Sequence, residues 1–138
     1  PDPGALPSLE TFPEFGTTYR ARRGEDAADV IWDCDYEILP SHDINGVGLL
    51  YFAAYPTIMD LCIERYEAEK RAGKGFLAAH STTAKDICYF ANSEPTETLV
   101  FRLHARDEGD GLVHHRASLA RKSDGVRMSE VYSTKRKL

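Results

Sequence analysis

The chain is poor in the residues that signal a metal centre, a disulfide scaffold or a membrane anchor. Its 138 residues include three cysteines, two methionines and one tryptophan. Cys34, Cys62 and Cys88 are far apart, odd in number and free of any C-x-x-C spacing. That pattern excludes a paired-cysteine zinc site and a disulfide framework, so reduced, mostly buried thiols and no metal are expected. No long apolar run and no secretory or lipidation signal occurs, which points to a soluble cytoplasmic protein with no membrane partner. Basic charge is also lacking: the formal net charge is −5 and the pI about 5.5. A nucleic-acid binder is therefore excluded, and the one basic run, Lys135-Arg136-Lys137, reads as a solvated tail. A few cations at a pocket mouth would still suffice to hold phosphates, and Arg121, Lys122, Lys135 and Arg136 are the candidates.

What remains is enough for one compact domain, because 42% of the residues are hydrophobic and the length is too short for two ordinary cores. Residues 1–28 are rich in Pro, Gly and charge, with Phe12, Phe15 and Tyr19 as the anchors, and read as an extended arm or linker ahead of a domain over 29–138. The missing initiator Met fits a portion of a longer chain. The first strand is expected from Val30 to Leu39, stopped by Pro40. A helix follows, with Tyr55, Ile58, Met59, Cys62 and Tyr66 on its buried face and Asp60, Glu64, Glu67 and Lys70 on the opposite one. It ends before Gly73-Lys74-Gly75, and Pro56 either lies in its first turn or kinks a helix begun near Leu50. Four strand-like runs come next, at 81–90, 98–105, 112–121 and 126–135. Gly109-Asp110-Gly111 and Ser123-Asp124-Gly125 supply the positive φ angles of tight turns. The order implies an α+β domain, an antiparallel sheet with one long helix on a single face.

Between strand and helix lies Asp43-Ile44-Asn45-Gly46-Val47-Gly48-Leu49-Leu50-Tyr51-Phe52-Ala53-Ala54-Tyr55. Gly46 and Gly48 let a ligand approach the amide N–H groups that open the helix, and such donors stabilise an oxygen that gains negative charge during reaction. Asp43 and Asn45 face the same place, although both also fit as ordinary turn and cap residues. Tyr51 and Tyr55 fit a core better than an acyl pocket, although one of them could line that pocket. His114 and His115 are adjacent on a strand and point to opposite faces, so they cannot serve one site, and one is expected to be exposed. His42 and His80 fit the pocket mouth or the plain surface. Ser81, Thr82 and Thr83 offer hydroxyls to a pantetheine arm or simply edge the sheet, and Cys62 fits the core better than a nucleophile.

The spacing of Asp43, Asn45, Gly48, Tyr51 and Tyr55, followed by helix and strands, resembles the hot-dog fold family over roughly residues 30–136. In that fold a curled antiparallel sheet wraps around one long helix. Thioesterases of the 4-hydroxybenzoyl-CoA type carry a carboxylate where this chain has Asn45, and an amide can be neither nucleophile nor general base. Enediyne-polyketide thioesterases share the Asn but use an arginine at the position of Ile63, and Arg65 lies on a different helix face. The Gly-Leu-Leu-Tyr-Phe-Ala run and the Pro after the second tyrosine are similar to the second half of the LnmK-type acyltransferase/decarboxylases of polyketide biosynthesis.

That resemblance implies decarboxylation of a malonyl- or methylmalonyl-CoA-type substrate and transfer of the acyl group to an acyl carrier protein. Asn45 and the backbone N–H of Phe52 would polarise the thioester carbonyl, with Asp43 and Tyr51 beside them. Gly46, Gly48, Tyr55 and Arg121 would bind substrate. It implies no cofactor beyond coenzyme A or phosphopantetheine carried by the substrate, and a second hot-dog unit, either a homodimer partner or a preceding domain. The alternatives are an acyl-CoA or acyl-carrier-protein thioesterase, and a non-catalytic scaffold half.

Overall fold

The computed structural model describes residues 30–38, 54–71, 73–94 and 96–138. The arm expected over 1–28 lies outside them. In chain order the elements are β1 (Trp32–Glu37), α1 (Ala54–Lys70), β2 (His80–Tyr89), β3 (Thr98–Gly109), β4 (Leu112–Arg121) and β5 (Arg127–Lys137). The strands form one antiparallel sheet in the order β1-β3-β4-β5-β2. Each expected strand is present, with its ends moved by a few residues.

The β3–β4 connection is the tight hairpin read from the sequence: Asp110 (φ 55°) and Gly111 (φ 75°) both adopt positive φ, which gives the twist that a two-residue antiparallel turn needs. Past α1, Gly73 (φ 79°) turns the chain away as expected. Glu64 then pins the following turn, its carboxylate accepting from the backbone N–H of Gly75 (3.1 Å) and Leu77 (3.0 Å).

Neighbouring strands lie about 4.8 Å apart, so the edges of a flat five-stranded sheet stand roughly 19 Å apart, wider than a helix of about 10–12 Å. Yet α1 touches both edges. The Trp32 indole N–H of β1 donates to Glu69 (3.3 Å), and Lys85 of β2 reaches Asp60 (2.9 Å). The sheet is therefore curled about the helix. Register shifts at Leu103/Ala105 in β3, at Thr82/Ala84 in β2 and at Met128 in β5, opposite Leu119/Ala120, help to bend it.

Tyr55, Ile58, Met59, Cys62, Ile63 and Tyr66 of α1 are buried against Leu99, Phe101, Leu103, Ala117, Leu119 and Val131 of the sheet. Each large apolar side chain removed from water in this way contributes about 1.5–3 kcal/mol. The polar face expected for the helix needs correction. Lys70 is exposed, but Asp60 and Glu64 are only partly so and Glu67 is buried, 1% exposed. Tyr55, Met59, Ile63 and Glu67 follow one another at steps of four, which places Glu67 in the same inward row as three core residues.

Candidate functional site

Of the residues predicted to form the site, Asp43, Asn45, Gly46, Gly48, Tyr51 and Phe52 lie outside the described residues, as does His42. Tyr55 and Arg121 are described, and the structure brings them to one place. Tyr55, in the first described turn of α1, is 1% exposed, and its hydroxyl donates to the carbonyl of Ala91 (3.0 Å) and to Asn92 Oδ1 (3.3 Å). Arg121, at the end of β4, donates through Nη1 to the carbonyl of the same Asn92 (2.7 Å). The segment after β2 therefore joins the beginning of α1 to the β4–β5 turn. An open cleft of about 430 Å³ lies there, with Asn92, Ser93, Glu97 and Arg121 on its walls.

Burial, with Tyr89 beside it (ring centroids 5.3 Å apart), pushes the Tyr55 phenol up to about 12, against the pull of the Arg121 guanidinium. Tyr55 is thus a neutral donor at working pH. The Arg121 guanidinium is fixed and largely neutralised by Asp124 (3.0–3.2 Å), at a cleft wall that also carries Glu94 and Glu97. Pro56 lies in the first described turn of α1, and the residues on which a start near Leu50 depends lie outside the described ones.

The other phosphate candidates separate. Lys122 is exposed and pairs with Asp35, and Arg136 is exposed. Lys135 is a correction to the solvated tail: it is 1% exposed, bound to Asp60 (3.0 Å) and to Ser133, and cannot reach a phosphate at a pocket mouth. Its place follows from strand alternation, since β5 continues to Lys137 and turns Ser133 and Lys135 toward the helix. Ser81, Thr82 and Thr83 are exposed on the edge strand β2.

The histidine pair behaves as alternation requires, although neither ring is exposed. His115 is 0% exposed and points at α1, while His114 is half-buried and hydrogen-bonded through Nδ1 to Thr134 Oγ1 (2.9 Å). His80 stacks on Phe76 (centroids 4.0 Å), its Nδ1 2.8 Å from the carbonyl of Phe76.

The sequence reading missed a buried ionic cluster at the other end of α1. Arg106 Nε and Nη2 donate to the two Glu67 carboxylate oxygens (2.8 and 2.9 Å), and His115 Nε2 lies 3.1 Å from Oε2. Arg106 and His115 face each other across β3 and β4. The bulge at Leu103/Ala105 brings Arg106 into that row; uninterrupted alternation from Leu103 would have turned Ala105 inward instead. Burial alone would raise the Glu67 carboxyl, but hydrogen bonds from His115 and Arg106 hold it at about 2. Burial also pushes the His115 imidazole down, against the pull of Glu67, so the ring is neutral and donates from Nε2. The step-of-four row through Ile63 was the signal for Glu67; nothing in the sequence marks the bulge. Among the described residues, no group of His, Cys, Asp and Glu is arranged to hold a metal ion. Nor is any helix among them long and apolar enough to cross a membrane.

Comparison with known proteins establishes the hot-dog fold. The chain matches a 1,4-dihydroxy-2-naphthoyl-CoA thioesterase from Synechocystis with a TM-score of 0.67 at 11% identity, over 76% of this chain and 80% of that one. A thioesterase from Thermus thermophilus, complexed with coenzyme A and Zn, matches with a TM-score of 0.67 at 10% identity, over 79% and 85%. The 4-hydroxybenzoyl-CoA thioesterase from a Pseudomonas species gives 0.66 at 9% identity, over 77% and 83%. No protein-family model and no curated protein matches the sequence.

Proposed function

We propose that this chain is an acyl-CoA thioesterase. The observation that carries the reading is the cleft walled by Asn92 and Arg121, behind which the buried Tyr55, last residue of the Asp43–Tyr55 motif, bonds to the same Asn92, on a fold shared with CoA thioesterases. Hydrolysis needs a water activated beside the thioester carbonyl and donors for the oxyanion that forms. The motif supplies both kinds of group. Asp43 is its carboxylate and takes the proton from water, while Asn45 and the Phe52 N–H donate to the carbonyl oxygen, beside Tyr51. Collapse of the tetrahedral adduct breaks the C–S bond and releases coenzyme A as the thiol after protonation. Gly46 and Gly48 leave room for that approach, Tyr55 lines the acyl side, and Arg121 offers charge to the nucleotide phosphates.

A second reading is favoured by one residue. Asn45 replaces a carboxylate that would repel a malonyl-type substrate, and a neutral donor suits an enolate formed by loss of CO₂. On this reading the chain, paired with a second hot-dog unit, decarboxylates malonyl- or methylmalonyl-CoA in polyketide biosynthesis and passes the acyl group to an acyl carrier protein.

Incubation with simple acyl-CoAs and with malonyl- and methylmalonyl-CoA separates the two. Free thiol without CO₂ supports hydrolysis; CO₂ release with acylated carrier protein supports the second reading. Silence with every substrate leaves the scaffold role and overturns both. For hydrolysis, Asp43→Asn lowers kcat by about 10²–10⁴-fold, and Asn45→Asp lowers it too, because the oxyanion loses a donor. Loss of malonyl-CoA turnover in Asn45→Asp marks the decarboxylase instead.

A further inference from the structure

Two cysteines that stand far apart in the sequence meet in the fold. Cys34 lies on β1 opposite Phe101 and packs on the core, half-buried; Cys62 lies on the inward face of α1, 0% exposed. The crossing that joins them is fixed on both sides. Arg65 Nη1 donates to the carbonyl of Asp35 (2.9 Å), and the Trp32 ring meets Tyr66 edge-on with centroids 5.6 Å apart. Between these ties Cys34 and Cys62 both face the core that β1 and α1 enclose.

We propose that Cys34 and Cys62 form an oxidation site for a hydroperoxide, closing to a disulfide that joins β1 to α1. The Cys34 thiolate attacks the peroxide and becomes a sulfenic acid, with hydroxide leaving. Cys62 sulfur then attacks the sulfenic sulfur and the Cys34 hydroxyl leaves as water. Overall, two thiols and one H₂O₂ give one disulfide and two waters. Cys34 is suited to the first step, since it is the partly accessible thiol of the two and Arg65 lies near it. Cys62, fully buried on the helix, is the resolving partner. The closed ring would span Cys34 to Cys62 and so enclose the whole segment from Asp43 to Tyr55. Cys88, buried on the opposite edge strand β2, serves as an internal control.

The test treats the full chain with hydrogen peroxide, alkylates the remaining thiols in denaturant and maps peptides. Chymotrypsin is the protease of choice because it cuts at Tyr36 and Tyr51, between the two cysteines. The expected result is a Cys34–Cys62 linked peptide two hydrogens lighter than the free pair, alkylated Cys88, and reversal by dithiothreitol. The oxidised protein should melt about 10 °C higher, since the ring restricts the unfolded chain. In Cys62→Ser, dimedone should label Cys34. Three free thiols after treatment, a disulfide that includes Cys88, or a link between two chains would each overturn the proposal. Mapping of the unmutated chain decides this whether or not the variant folds, and no readout depends on thioester chemistry.

Discussion

The two ends of α1 are built on one geometric row and two different chemistries. At the beginning, Tyr55 and Met59 pack on apolar strands, and the single polar group, the Tyr55 hydroxyl, reaches the edge of an open cleft. Toward the end, Glu67 enters the sheet and meets Arg106 and His115. Water can compensate a lost contact at the first end and is excluded at the second. The expected cost of a substitution therefore depends less on the bond removed than on whether its partner is left dry.

The largest effect is expected at the dry end. Glu67→Ala strands the buried His115 donor and leaves the Arg106 guanidinium with only the exposed Glu108 (3.1 Å), and it should destabilise the fold by about 3 kcal/mol in urea unfolding. The combined change Glu67→Met, Arg106→Met and His115→Phe should recover most of that loss, because an apolar cluster of similar volume needs no partners. If the triple variant stays as unstable as Glu67→Ala, the cost comes from cavity and shape, and the contrast between the two ends fails.

Acid should act on the same end. Glu67 titrates at about 2 in the folded chain against an ordinary 4.5, so its contribution is complete above 4.5 and lost as the pH falls through 2. The size is about 3 kcal/mol. His115 is depressed from its ordinary value of 6.5, so the unfolded chain takes up its proton first, and stability again declines as the pH drops below 6.5. Urea midpoints measured from pH 7 to pH 3 should fall along this course. In Glu67→Gln the decline below pH 4.5 should be shallower. An unchanged acid limb in that variant would assign the acid loss to other carboxylates.

The contrast also explains what could be read from the chain. Strand positions, the Asp110-Gly111 hairpin and the inward face of α1 follow from alternation, turn chemistry and helical spacing, all of them local. Glu67 departs from expectation because its spacing from Ile63 outweighs its charge. Lys135 departs because the alternation of β5 continues through the basic run near the chain end. Arg106 was beyond reach, since the bulge that turns it inward leaves no local mark. For the candidate site, Tyr55 and Arg121 were named from motif and charge, but their meeting at Asn92 depends on the long-range path after β2. The thiol pair was missed for the same reason, as contact between Cys34 and Cys62 is set by how α1 crosses an edge strand.

The smallest effect is expected at the wet end. Tyr55→Phe removes hydrogen bonds to the Ala91 carbonyl and to Asn92 Oδ1 while keeping the ring against Tyr89. The acceptors are only partly buried, so water replaces the hydroxyl and the loss should be about 1 kcal/mol, a few degrees in the thermal midpoint. Arg121 still holds the Asn92 carbonyl, so the segment stays in register. On the thioesterase reading, the variant should shift KM more than kcat, because Tyr55 reaches the cleft only through Asn92 and takes no proton. A stability loss as large as that of Glu67→Ala would mean that the cleft is closed to solvent, and the distinction between the two ends of α1 would then have to be abandoned.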